Sequence, residues 1–222
     1  MRCPAPSRAP VAASLLLHEE VLLLALRDRE GTIPFGSAYT FAVAGALLAE
    51  LVVRRRIELS GVAKKRTVQL TDSKPVGEEV LDDALSRIVR ARRTASATTW
   101  VGRLAQLSRL KHRVAERLCH RGILRREERE VLLLFRRYVY PTIHPEPERR
   151  IVERLRTAIF THSHDTDART LVLLSISHRA GLLPMVFDRG EVKQRRKWIE
   201  ERVREEPIGY AVKKAIEASQ SG

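Results

Sequence analysis

The sequence predicts a mainly α protein: one globular helical domain over residues 14–218, with one or two small β-hairpins, preceded by a flexible arm over 1–13. Three observations predict it. Apolar residues recur at helical spacing in block after block. Only a few short stretches alternate in the manner of strands. Hydrophobic residues make up 44% of the 222 positions, enough for one core of that size.

The arm is read from Pro4, Pro6, Pro10 and the alanines around them. Leu15 to Leu26 is the first helix, with His18-Glu19-Glu20 as its polar face, and it ends before the turn Arg27-Asp28-Arg29-Glu30-Gly31. Gly31 to Tyr39 is a loop. Phe41 to Val53 is apolar on nearly every side, so it is expected to be a central buried helix. Arg54-Arg55-Arg56 closes it with cations at the negative end of the helix dipole. Ile57-Glu58-Leu59 and Val68-Gln69-Leu70 read as a hairpin around Lys64-Lys65-Arg66. Val80 to Val89 carries a helical stripe, and Thr94 to Thr99 is a small-residue linker.

Val101, Leu104, Leu107, Leu110, Val114 and Leu118 mark one long helix, stopped by Gly122. Its other face carries Arg103, Arg109, Lys111, His112, Arg113 and Arg117. Ile123-Leu124 and Phe135 to Tyr140 are strand-like and are expected to pair as a second hairpin. Helices resume at Ile151 to Ile159, Leu171 to Leu183, Val192 to Val203 and Ile208 to Ile216.

Lys plus Arg number 41 against 27 Asp plus Glu, a net charge of +14, which points to a polyanionic partner: anionic membrane or nucleic acid. Aromatics, at 5%, are too few for a stacking-based single-strand binder. Cys3 and Cys119 exclude a disulfide scaffold, and a reducing, cytoplasmic setting is expected. No run is long and apolar enough for a membrane span, so any membrane contact is expected to be peripheral. No phosphate-binding loop, nucleophile elbow or paired-histidine zinc motif is present, and neither catalysis nor a cofactor is expected.

Two features carry the membrane reading. Leu132, Leu133, Leu134 and Phe135 form an unbroken apolar run flanked by Arg125, Arg126, Arg136 and Arg137. On an exposed tip, these side chains would enter the headgroup–acyl boundary while the arginines meet lipid phosphates. Lys111, His112 and Arg113 on the basic helix are the candidate headgroup contacts. The plainer readings are a core strand or a dimer seam for the apolar run and a solvated face for the basic helix. The order of a buried helix and a basic hairpin resembles a winged helix in outline. The 41–53 helix, however, lacks polar side chains for base edges, so nucleic acid is not the expected partner. His162-Ser163-His164-Asp165-Thr166-Asp167 contains metal-ligand residue types, but it stands where a helix cap belongs, and no metal site is expected.

Leu16 to Gly31 (LLHEEVLLLALRDREG) resembles the opening signature of the Golgi phosphoprotein 3 family. Gly45 to Leu51 with the basic run after it, Leu81 to Leu85, Glu116-Arg117-Leu118 and Gly122-Ile123-Leu124 continue the resemblance, which covers roughly residues 14 to 216. It is closest to a prokaryotic-type member, with no long N-terminal extension expected. The resemblance implies a helical peripheral membrane protein that recognises phosphatidylinositol 4-phosphate. It also implies a hairpin, containing Leu132 to Phe135, that serves membrane contact and self-association. The family's headgroup pocket falls at Gly36, Ala44, His112 and Ala115, of which only His112 offers positive charge, and only when protonated. The rivals to this reading are a nucleic-acid-binding protein and a lipid-independent dimeric scaffold.

Overall fold

The computed structural model describes residues 14–26, 31–32, 37–61, 66–131, 135–161 and 165–221 (side chains at 37, 130, 131, 135 and 136 excepted), and it is mainly α with small antiparallel sheets. Helix α2 (Ser37–Val53) is its hub, starting four residues ahead of the apolar stretch. Ala42 through Leu51 are buried without a break, because α1 (Leu17–Ala25), α4 (Ala97–Ala105) and α11 (Pro207–Gln220) pack around them. Gly45 permits the approach of α11: a Cβ there would stand 2.2 Å from Val212 Cγ2. A helix so enclosed has no face to lay in a nucleic-acid groove.

Around this hub, α7 (Ala168–Arg179) packs on α11, and α6 (Glu146–Phe160) packs on α7 and α1. Helix α5 (Leu110–His120) leans on α1 and on α3 (Glu79–Val89). Val192 to Val203, expected as one helix, is two: α9 (Arg189–Gln194) and α10 (Arg196–Arg202), preceded by the short α8 (Leu183–Val186). Asp167 caps α7 by accepting the Thr170 N–H at 2.9 Å. His162 and His164 lie outside the described residues.

Strands β1 (Ile57–Ser60) and β2 (Thr67–Leu70) form the expected hairpin, in register Ile57↔Leu70 to Ser60↔Thr67. The linker expected at 94–99 is instead structured: β3 (Ala95–Ser96) adds a third strand beside β2, and Ser96 then caps α4 by accepting the Thr99 N–H.

The long helix expected through Val101 and Leu118 is also two helices. Arg109 adopts φ +50 and breaks the chain between α4 and α5. Leu107 and Leu110 remain buried across the break, so the apolar stripe continues although the helix does not.

The second hairpin is shifted from the expected pairing. Strand β4 (Glu127–Val131) pairs with β5 (Phe135–Val139), from Glu127↔Val139 to Val131↔Phe135. Leu124 joins Thr142 by a single bridge at the foot of the hairpin. Val139 is buried there, while Glu128, Arg129 and Tyr138 further out are exposed, and the two strands pack chiefly on each other.

The polar face of α1 is not a surface. His18 and Glu19 are fully buried and Glu20 is 5% exposed. Glu19 takes Arg117 and Arg121 of the α5 end at 2.9 and 2.7 Å, and Glu20 takes Arg154 of α6 at 2.9 Å. Glu50 of α2, 2% exposed, accepts the Leu17 N–H at 2.9 Å and pairs with Arg54 and Arg169 at 3.1 and 3.2 Å. A buried carboxylate is tolerable only when paired and hydrogen-bonded. Three helices, α5, α6 and α7, are therefore tied to α1 and α2 through arginines.

Candidate functional site

The N-terminal end of α5 and the outer strand β5 meet at His112. Its Nδ1 lies 2.9 Å from the hydroxyl of Tyr140, the residue that follows β5, with the rings 5.7 Å apart. Tyr140 is fully buried, and burial, helped by Glu116, pushes its phenol up to about 12, so it stays protonated. Burial lowers the His112 imidazole below its usual value, and the charges of Arg109, Lys111 and Arg137 lower it further, against the pull of Glu116. His112 is thus the neutral centre of a cationic patch drawn from α5 and β5. Burial likewise lowers Lys111.

The three adjacent candidates on α5 do not converge. Successive helical residues point about 100° apart, and Arg113 turns away to α3. There it grips Glu79 at 2.9 Å and Asp83 at 2.8 Å, a structural tie that leaves Lys111 and His112 on the outer side. Of the family-pocket positions, Ala44 and Ala115 are completely buried in α2 and α5, and Gly36 lies outside the described residues. Of the three described positions, His112 alone reaches the surface.

The described hairpin arginines are engaged in pairs of their own. Arg126 lies over the Tyr138 ring at 4.8 Å and pairs with Glu116 at 3.2 Å, fastening the hairpin to α5. Arg109 reaches the same Glu116 at 3.3 Å. Arg125 is exposed and paired with Glu127. Arg129 and Arg137 face each other in the strand register. Arg129 is also paired with Glu127 at 3.6 Å. Leu132, Leu133 and Leu134 lie outside the described residues, as do the side chains of Phe135 and Arg136.

Sequence reasoning named Lys111, His112 and Arg137 without bringing them together. It missed Tyr140, which has no signal of its own in an apolar–aromatic run. Among the described residues, no helix is long and apolar enough to cross a membrane, and no group of His, Cys, Asp or Glu could hold a metal ion.

Comparison with known proteins follows the same line. The family described as Golgi phosphoprotein 3 (GPP34) matches residues 17–219. A curated relative, vacuolar protein sorting-associated protein 74 of Schizosaccharomyces pombe, is 27% identical over 215 residues. That match covers 82% of this chain and 63% of the relative, so the chain spans less than two thirds of the relative's length.

Proposed function

The chain belongs to the Golgi phosphoprotein 3 (GPP34) family, and from that premise we propose that it is a non-enzymatic protein that docks peripherally on anionic membrane. By family resemblance the lipid is of the phosphatidylinositol 4-phosphate type. Its phosphate is met by Lys111, His112 and Arg137, with Arg125, Arg126, Arg129 and Arg136 around it. Arg113 contributes by holding α5 in place. Leu132 to Phe135 enter the headgroup–acyl boundary.

The observation that supports this reading is the hairpin that packs chiefly on itself and carries arginines beside the α5 cations. A buried Leu or Phe contributes roughly 1.5–3 kcal/mol, and an Arg near an anionic surface about 1 kcal/mol. Either group alone binds weakly; the two together anchor reversibly. The same hairpin offers a surface for self-association.

Vesicle flotation tests the proposal. The protein is expected to float with vesicles containing phosphatidylinositol 4-phosphate, more weakly with other anionic vesicles, and to remain in solution when Leu133→Asp and Phe135→Asp are combined. Flotation that survives the double change refutes insertion by the tip. Loss of a dimer in sedimentation with flotation intact makes the tip a seam. Steeply salt-dependent DNA binding without flotation favours the nucleic-acid rival.

A further inference from the structure

Among the described residues, His112 and Tyr140 have only each other as side-chain hydrogen-bond partners: the Tyr140 hydroxyl stands 2.9 Å from His112 Nδ1. Tyr140 is inaccessible to solvent, so its hydroxyl cannot turn to water instead. Its backbone is held on both sides. The Tyr140 N–H donates to the Gly31 carbonyl at 2.6 Å, and the Pro141 carbonyl accepts the Arg125 N–H at 3.0 Å. His112 is half-buried, and its Nε2, unlike both nitrogens of His18, is not sealed from solvent.

Two placements of the imidazole proton are open to this pair, and they are not equal. With the proton on Nδ1, Nδ1–H would donate to the phenol oxygen, and the hydroxyl proton would be left buried without an acceptor. With the proton on Nε2, the hydroxyl donates to the Nδ1 lone pair and Nε2–H faces solvent, so every polar atom of the pair is satisfied. A buried donor without an acceptor is the costlier arrangement, so the second placement holds. Burial keeps the phenol protonated and thus able to donate.

The imidazole is neutral at pH 7.5, because burial and the charges of Arg109, Lys111 and Arg137 outweigh the pull of Glu116. Its contribution there is direction rather than charge. A cation attracts any anion nearby, whereas a fixed N–H favours an acceptor oxygen along one line.

We propose that Tyr140 is the positioning residue of the headgroup site: its buried hydroxyl donates to His112 Nδ1, fixes the imidazole proton on Nε2, and so presents Nε2–H as a neutral donor to a phosphate oxygen. This rests on the docking proposed above and adds to it the residue that aims the donor.

Nitrogen-15 NMR of the full chain, labelled at histidine and free of lipid, reads the tautomer, with His112 assigned by the signals that His112→Gln removes. At pH 7.5 Nε2 is expected to be protonated and Nδ1 not, and the Nδ1 resonance is expected to move in Tyr140→Phe. A protonated Nδ1 overturns the proposal, whatever the protein does with membrane. Flotation with vesicles containing phosphatidylinositol 4-phosphate reads the use of the donor. Tyr140→Phe is expected to weaken binding at least threefold at pH 7.5. His112→Gln, whose amide nitrogen reaches near the place of Nε2, is expected to bind at least threefold tighter than His112→Leu. Adding Tyr140→Phe to His112→Gln is expected to change nothing further. A loss from Tyr140→Phe that persists in the His112→Gln background makes Tyr140 merely structural and overturns its positioning role, as does unchanged binding by Tyr140→Phe. A wild-type chain that stays in solution, with the ring spectra as expected, refutes the docking and with it the use of the donor.

Discussion

Replacing Glu19 with Ala removes one side chain and strands three partners. The Glu19 carboxylate is fully buried, accepts the Leu16 N–H at 2.8 Å, and pairs with Arg117 at 2.9 Å and Arg121 at 2.7 Å. It is thus the N-terminal clasp of α1 and the joint between α1 and α5. Breaking a buried pair by deleting one partner costs about 3–5 kcal/mol, because the remaining charge stays partly desolvated. Arg117 and Arg121 keep some access to water, at 37% and 20% exposure, so the lower half of that range applies. For a chain of this length each kcal/mol moves the melting temperature by roughly 2–4 °C. Glu19→Ala is therefore expected to lower it by roughly 6–16 °C, and urea denaturation to report the same loss at an unchanged slope. Glu79→Ala is the control: Glu79 also pairs with an arginine, at 2.9 Å, but is 82% exposed, and such pairs contribute about 0–1 kcal/mol. Equal losses for the two variants would refute the view that α1 is held by a buried ionic joint.

Three further outcomes follow from particular residues. Gly31 has φ +59, accepts the Tyr140 N–H at its carbonyl oxygen at 2.6 Å, and would place a Cβ 2.1 Å from Pro141 N; Gly31→Ala is expected to destabilise the protein by more than about 2 kcal/mol in urea, and a neutral result would contradict the contact. His18 is wholly buried, and burial, with Arg117 behind it, lowers it to about 3, so the unfolded chain binds the extra proton between pH 6.5 and 3. Stability is accordingly complete above pH 6.5 and falls on acidification by about 1.4 kcal/mol per unit from this group; His18→Leu should flatten that part of the curve, and an unchanged slope would exclude it. His112, held below its usual value, gains charge only as the pH drops below 6.5, so binding to anionic vesicles should strengthen between pH 7 and 5, and His112→Gln should remove that gain.

The helices carrying a single apolar stripe, α3 and α6, were legible because one buried face at 3.6-residue spacing determines both period and orientation. So was α2, whose unbroken apolar run leaves burial as the one solution. The break at Arg109 was not legible: Leu107 and Leu110 preserve the stripe on both sides, and no Gly or Pro marks a turn. Strand β3 escaped because two residues are too few to alternate. The burial of His18, Glu19 and Glu20 was hidden for a different reason. The partners of Glu19 and Glu20, Arg117, Arg121 and Arg154, lie 98 to 134 residues away, and nothing local distinguishes a paired carboxylate from a solvated one. In the candidate site, residue types were readable and directions were not, so Arg113 stood beside His112 in sequence although its guanidinium pairs with Glu79 and Asp83 of α3.

The most direct measurement is depth. A Leu133→Trp variant, mixed with vesicles containing phosphatidylinositol 4-phosphate and lipids brominated along the acyl chain, is expected to lose much of its added indole emission while bound. Bound protein whose Trp at that position is untouched by the brominated chains, yet quenched by iodide in the surrounding water, would contradict insertion of the hairpin tip.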